Sequence, residues 1–296
     1  MNQVKKAVIL AAGLGTRFLS ITKTIPKEML PLIDKPVLHY LIDETQLSGI
    51  REIILIISPE KEIIKNYFKK NKKLEYFLRV RKEKKYLAEI KKIEKFPKIS
   101  FLYQEKPLGI GDAVLIAEKK IKNEPFALFF ADDVIASKTP CLKQLIDVYK
   151  KYQKIIIGVA PVPKKEVFRY GVIKAKKISS RVYQVLDLVE KPAINKAPSN
   201  LAITGRYILT PEIFLPLKQL KSQKIQGGKE IYLTDALKIL LETKNSFYAY
   251  LYQGDWLSCG NKIGWLKANI EIGLKHPETK EELRKYLKDI KLTQLT

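Results

Sequence analysis

The sequence predicts an α/β fold, a mostly parallel sheet flanked by helices, with antiparallel additions after it. Three observations predict it. Short β-branched runs alternate with longer stretches of helical period through the first half. Those runs are apolar at consecutive positions, as strands covered on both faces are. From about Tyr170 the rhythm changes to short strands separated by Pro- and Lys-rich turns.

Taken in order, Lys5–Leu10 reads as the first strand and Ala11–Arg17 as a glycine loop leaving it. Val37–Ser48 has Val37, Leu38, Leu41, Ile42 and Thr45 at helical spacing and ends near Gly49. Glu52–Ile57 is a nearly continuous apolar strand, and Ile99–Tyr103, Phe126–Ala131 and Ile155–Ala160 repeat the pattern. Ile110–Ile121 and Cys141–Tyr152 are the helices between them. Beyond Tyr170, Val172–Ala175, Val182–Asp187, Ile203–Leu209 and Phe247–Tyr252 read as strands. Pro211–Leu220, Leu233–Glu242 and Asn261–Lys275 read as helices. Glu278–Leu292 is an amphipathic helix with Leu283, Tyr286, Leu287, Ile290 and Leu292, suited equally to its own domain or to a subunit contact. No internal repeat or low-complexity linker interrupts the chain, so residues 1–296 are expected to form a single domain.

Composition narrows the function. Fifty-five Lys and Arg face 31 Asp and Glu, a net charge of +24, which predicts polyanionic partners: nucleic acid, an anionic membrane or phosphorylated small molecules. Two cysteines (Cys141, Cys259) exclude a disulfide framework, and two histidines (His39, His276) exclude a His-rich zinc site. No segment approaches the ~18–20 apolar residues of a membrane span, and the run before Gly13 is too short for a secretion signal. A cytoplasmic protein without a membrane partner is expected. Lys61–Lys98 holds fifteen Lys or Arg against five Glu, interleaved with Tyr67, Phe68, Tyr76, Phe77, Tyr86 and Phe96. Stacking on nucleic acid is one reading of this stretch. Mixed glutamates and the absence of a nucleic-acid-binding signature favour another: amphipathic helices with aromatics inward and lysines solvated.

The strongest local signal is Leu10-Ala11-Ala12-Gly13-Leu14-Gly15-Thr16-Arg17. A glycine-rich turn directly after a strand lets backbone N–H groups approach phosphate closely. The third glycine of a dinucleotide fingerprint would fall at Phe18, and a Walker A loop requires a Gly-Lys-Ser/Thr ending that is missing. Instead Arg17 supplies a planar fork, and Lys27, in Pro26-Lys27-Glu28-Met29-Leu30-Pro31, a compact point charge. Two cations beside a glycine loop suit a triphosphate that releases pyrophosphate. Asp132-Asp133 follow the strand Phe126–Ala131, so they share the rim at the carboxyl ends of the strands.

The segment Ala11–Pro36 closely resembles the signature of sugar-1-phosphate nucleotidyltransferases, and more narrowly that of the bacterial UTP–glucose-1-phosphate uridylyltransferases. The resemblance continues in order through Gln104–Gly111, Ala131–Asp133, Arg169–Gly171, Val189–Pro192, Ala197–Ala202, Gly205–Tyr207, Glu230–Asp235 and Cys259–Lys262. It implies a Rossmann-like sheet with antiparallel sugar-binding additions and C-terminal helices. Residues 1–165 would form the nucleotide-binding half, 166–275 the sugar-phosphate-binding half and 276–296 a C-terminal helix. The implied partners are UTP and glucose-1-phosphate, the cofactor Mg²⁺ and the assembly a homodimer or homotetramer, with nucleic acid not expected.

By the same resemblance, Ala11, Ala12, Gly13, Gly15 and Thr16 would hold the nucleotide, with Arg17 on the triphosphate. Gln104 would recognise uracil, since its amide offers both a donor and an acceptor, and Gly109 would let the backbone approach the base. Asp132 would hold Mg²⁺. Gly171 and Glu190 would bind glucose hydroxyls and Lys191 the sugar phosphate. Arg17, Lys27, Asp132 and Lys191 would be the catalytic set, acting by alignment and charge neutralisation rather than through a side-chain nucleophile. Two departures from the family pattern stand out. Ser258 occupies the position before Cys259-Gly260 where relatives place an aspartate, and Asp112 stands where they commonly have histidine. At Asp112 a capping or surface role is expected. Two other readings stay open: a transferase using dTTP or another nucleotide, and a catalytically weak regulatory or RNA-binding relative.

Overall fold

The computed structural model describes residues 3–93, 95–224, 230–243 and 246–290. Thirteen strands can be named among them: β1 (Lys6–Leu10), β2 (Pro31–Leu32), β3 (Lys35–Pro36), β4 (Glu52–Ile57), β5 (Lys98–Tyr103), β6 (Phe126–Phe130), β7 (Asp133–Ala136), β8 (Ile156–Pro161), β9 (Gly171–Lys177), β10 (Val182–Glu190), β11 (Leu201–Leu209), β12 (Tyr248–Leu251) and β13 (Asp255–Ser258). Nine form one sheet in the order β5-β4-β1-β6-β11-β8-β12-β10-β9. β5, β4, β1 and β6 are parallel neighbours, as are β8 and β12. β11 enters antiparallel between β6 and β8, and the β9–β10 hairpin closes the far edge.

The consecutive apolar positions are explained by two cores, one on each face. Ala7, Ile9, Ile53, Leu55, Ala127 and Phe129 pack on one side with the helices Val37–Leu47 and Cys141–Tyr152. Val8, Ile54, Ile56, Phe126 and Leu128 pack on the other with the helices Ile110–Ile116, Phe214–Lys224 and Leu233–Glu242. Successive side chains of a strand point to opposite faces, so a strand buried on both must be apolar throughout.

Three local features differ from the sequence reading. The helix expected over Ile110–Ile121 is two pieces, Ile110–Ile116 and Glu118–Ile121, because the backbone tightens to a one-turn i→i−3 bond at Ala117. A separate antiparallel pair, β7 with β13, sets Asp133 opposite Ser258. The terminal helix spans Lys280–Asp289, and Leu292 lies outside the described residues. No helix of the described residues is long and apolar enough to cross a membrane.

The basic stretch divides. Phe68 and Phe96 pack against the core, and Tyr67 meets His39 through its hydroxyl. Tyr76, Phe77 and Tyr86, on the helices Lys72–Val80 and Lys84–Ile93, are instead exposed, while Glu75 is buried. These two short helices pack on each other more than on the sheet, so their aromatics have little core to enter. Lys61, expected to be solvated, is buried.

Candidate functional site

Going outward from β1 the chain adds β4 and then β5 on one side, whereas β6 lies on the other. The order therefore reverses next to β1, and the carboxyl ends of β1 and β6 flank the crevice where sheets of this kind take ligands. Ala11–Arg17 leave β1 there, Lys61 follows β4, Gln104 follows β5 and Asp132 follows β6.

Gly15 has φ 69°, a left-handed turn that lets the loop enter the short 3₁₀ segment Thr16–Phe18, and the Thr22 hydroxyl donates to its carbonyl at 2.9 Å. Ala11 and Ala12 are buried while Gly13 is exposed. Lys27 reaches back across the loop. Its Nζ lies 2.6 Å from Asp132 Oδ2 and about 3.9 Å from where a Cβ on Gly13 would sit. Burial works to lower the Lys27 pKa, but Asp132, Glu28 and Asp133 outweigh it and hold the ammonium charged. Arg17 Nη1 donates to the Gly260 carbonyl at 3.2 Å, tying the loop to the segment after β13. Gly260 itself is pressed on the carboxylate: a Cβ there would lie 2.5 Å from Asp132 Oδ2.

The neighbouring aspartates are driven apart. Burial alone would raise the Asp132 pKa, but Lys27, a backbone hydrogen bond and Arg17 bring it below the usual carboxylate range. Asp133 is pushed up to about 7, by burial and then by the charge on Asp132, against opposing pulls from Trp256, Arg206 and Ser258. The indole N–H of Trp256 donates to Asp133 Oδ1 at 2.8 Å. Ser258 thus faces Asp133 across the β7–β13 pair.

Lys61 braces the loop from beneath. Its Nζ donates to the carbonyls of Ala11 (2.7 Å) and Gly13 (2.6 Å) and to both oxygens of fully buried Glu28 (3.1 and 2.9 Å). Desolvation lowers the Lys61 pKa, and Glu28 opposes it. Glu28 precedes Met29 in the same turn as Lys27, so one buried ion pair fixes both the loop and the lysine above it.

Gln104 is buried, and its Nε2 donates to the Gly109 carbonyl (3.0 Å) and to Asp112 Oδ2 (2.9 Å). The donor end of this amide is therefore spent inside the protein. Gly109 has φ 98°, and a Cβ there would meet the Ile231 carbonyl at 2.8 Å. Asp112 is neither a cap nor a surface residue: it is buried and also pairs with Lys221 Nζ at 2.7 Å.

On the second half, Gly171 and Glu190 are cross-strand partners, and a Cβ on Gly171 would approach Glu190 Oε2 to 3.2 Å. Glu190 Oε2 accepts from the Thr234 hydroxyl at 3.0 Å. Burial raises the Glu190 pKa, with Thr234 and Lys191 opposing. Lys191, at φ 45°, is half exposed, with Nζ 3.8 Å from Glu190 Oε1 and 5.5 Å from the centre of the Tyr232 ring.

A model of the nucleotidyl transferase family matches residues 6–273. The chain belongs to this family. A UTP–glucose-1-phosphate uridylyltransferase of Staphylococcus haemolyticus is 43% identical over 98% of the chain and 99% of its own length. Among solved structures, a UTP-bound UDP-glucose pyrophosphorylase from Acinetobacter baumannii superposes with TM-score 0.89 at 36% identity, covering 98% of this chain and 100% of that one. A UDP-glucose pyrophosphorylase complexed with UDP-glucose gives TM-score 0.83 at 38% identity over 93% and 100%. This nucleotidyl transferase is thus a full-length match to uridylyltransferases of UTP and glucose-1-phosphate.

Of the residues expected to act, Arg17, Lys27 and Asp132 form one connected group with the glycine loop, whereas Lys191, Glu190 and Gly171 form a second. Three contributors were not marked by the sequence pattern: Lys61, Glu28 and Trp256. A cleft of about 1230 Å³ lies elsewhere, between the helix Val37–Leu47, the β7–β13 pair and the residues around His276, and none of the predicted site residues lines it.

Proposed function

We propose that the chain transfers uridylyl from UTP to glucose-1-phosphate, giving UDP-glucose and pyrophosphate, at the rim formed by residues 11–17, Lys27 and Asp132. The observation that carries it is the contact of Lys27 with Asp132 over the glycine loop, closed by Arg17 on Gly260. It is a cationic cradle beside one ionised carboxylate, what a triphosphate and a metal together require.

Residues 1–165 deliver the nucleotide groups and residues 166–275 the sugar-side groups. Backbone N–H groups of Ala11, Ala12, Gly13, Gly15 and Thr16, with Arg17, bind the nucleotide, while Gln104 and Gly109 meet the base. Glu190 and the Gly171 backbone take glucose hydroxyls, and Lys191 grips the sugar phosphate. A sugar-phosphate oxygen then attacks the α-phosphorus of UTP in line, the α–β anhydride bond breaks and pyrophosphate carries away the electron pair. Lys27, held protonated by its acidic neighbours, and Arg17 stabilise charge on the phosphates as it shifts toward the leaving group.

The donor set fits Mg²⁺. Asp132 would hold it with substrate phosphate oxygens, and the bare Cα of Gly260 keeps the space over that carboxylate clear. Among the described residues no three His, Cys, Asp or Glu side chains converge on a metal position, but Mg²⁺ takes one or two carboxylates with phosphates and waters. Bound there, it would supply neutralisation of phosphate charge.

The test is pyrophosphate release from UTP with several sugar-1-phosphates, with and without Mg²⁺, and with dTTP in place of UTP. Release that depends on UTP, glucose-1-phosphate and Mg²⁺ supports the reading. Salt-sensitive RNA binding with no release would replace it. A cytoplasmic homodimer or homotetramer is the proposed state, supported by two unpaired buried cysteines and by exposed Tyr286 on the terminal helix; light scattering measures the assembly.

A further inference from the structure

We propose that Arg206, held on Glu44, is a positioning residue that fixes the Asp132–Asp133 turn from the interior and so sets where the Asp132 carboxylate stands. The proposal deepens the reading of Asp132 given above and rests on it. Arg206 is fully buried in β11, with its guanidinium 4.3 Å from the centre of the Phe129 ring. All three of its side-chain nitrogens are used. Nε lies 3.3 and 3.2 Å from the two Glu44 oxygens. Nη2 donates to Glu44 Oε2 at 2.9 Å and to the Asp133 carbonyl at 2.7 Å, and Nη1 to the Gly205 carbonyl at 3.2 Å. Glu44 is anchored in turn, because its Oε1 accepts from the Leu142 N–H at 2.9 Å in the first turn of the helix Cys141–Tyr152.

Stability alone does not require such a pair, since two charges taken out of water recover little beyond what apolar residues of similar volume would give. The strand is also deformed to hold it. Ile203 faces Val159 and Tyr207 faces Ile157, so β11 takes four steps where β8 takes two, and Gly205 between them has φ 65°. Bulges of this kind re-aim a side chain. What this one delivers is a donor behind the turn that joins β6 to β7. The Asp132 carbonyl of that turn is held by the Cys259 N–H at 2.7 Å, and the Asp133 carbonyl by Arg206. Two successive carbonyls are thus tied, which fixes the backbone beside Asp132 and with it the carboxylate 2.6 Å from Lys27. Being fully buried, Arg206 acts through the turn and not on a ligand.

The experiment compares the unmodified protein with two variants. Glu44→Leu/Arg206→Met removes both charges together, and Arg206→Lys keeps the charge but loses the planar fork. The readouts are kcat, KM for glucose-1-phosphate, and calorimetric affinity for UTP with Mg²⁺ and with EDTA. In the double variant kcat is expected to fall about 10–100-fold, as for a small misplacement of a reacting group. The gain in UTP affinity that Mg²⁺ brings should shrink about tenfold, as when an outer partner of a metal ligand is lost. KM for glucose-1-phosphate and UTP affinity in EDTA should not move. Arg206→Lys should show the same split at smaller size. A folded double variant with an unchanged Mg²⁺ gain overturns the proposal, and so does an equal fall of UTP affinity with and without Mg²⁺, the mark of general loosening. Should that variant fail to fold, an unchanged Mg²⁺ gain in Arg206→Lys overturns it equally. No Mg²⁺ gain in the unmodified protein overturns it together with the metal assignment of Asp132. Normal turnover by the unmodified protein with an unmoved Mg²⁺ gain in the variants sinks the proposal alone. Absence of turnover, with a Mg²⁺ gain that the double variant shrinks, sinks the reaction assignment and keeps the proposal.

Discussion

The two ends of the site are built differently. At the proposed nucleotide end three cations have partners: Lys27 on Asp132 at 2.6 Å, Arg17 on Gly260, and Lys61 on Glu28 and two loop carbonyls. At the sugar end Lys191 is half exposed and only 3.8 Å from Glu190. Preassembled charges cost no reorganisation when charge shifts in the reaction, whereas a half-exposed lysine without a close partner must be ordered by its ligand. Under the proposed function, the first end would stabilise the reacting phosphates and the second would capture the sugar phosphate.

The comparison can be broken hardest at Lys61. Replacing it by Met strands buried Glu28 and two carbonyls, and should cost about 3–5 kcal/mol of folding stability, as loss of one partner of a buried pair does. Urea unfolding checks this; a loss below ~1 kcal/mol would mean the brace is not needed. Lys27→Ala and Asp132→Asn are expected to fold and to lose turnover on the order of 10²–10³, by analogy with removal of one preorganised donor. Near-normal kcat in either would unmake the preassembled end. Lys191→Ala should fall about 10–100-fold in kcat/KM for glucose-1-phosphate, mainly through KM, the worth of one charged hydrogen bond. An equal fall in kcat would erase the distinction between the two ends.

The smallest effect is expected at Ser258. Ser258→Asp sets a carboxylate opposite Asp133, whose own carboxyl burial and Asp132 already push up to about 7. Thermal unfolding without metal should occur at lower temperature than for the unmodified protein. Added Mg²⁺ should restore it, with turnover preserved or increased. A melting temperature insensitive to Mg²⁺ would place residue 258 away from the metal.

Much of the rim's layout was legible because its signals are local. A glycine loop directly after an apolar strand, and an aspartate pair directly after another, need only a parallel sheet to bring them together. What was not legible depends on distant pairing. β7 and β13 are four residues each and about 120 apart in sequence, with no alternation to mark them, so the placing of Ser258 opposite Asp133 could not be read. Lys61 looked like the first charge of a basic run, and only the sheet, by setting the end of β4 beside β1, turns it inward. The exposed Tyr76 and Phe77 are the converse: helical spacing predicts an inner face but does not say whether a core lies opposite it. Asp112 resembled a first-turn cap, and its partners Gln104 and Lys221 lie 8 and 109 residues away.

A crystal structure with UDP-glucose bound tests the central assignment most directly. The diphosphate is expected against Arg17 and Asp132, the uracil at Gln104 and Gly109, and the glucose on Glu190. Density for the ligand in the 1230 Å³ cleft beside Tyr40, Thr139 and His276 would contradict it.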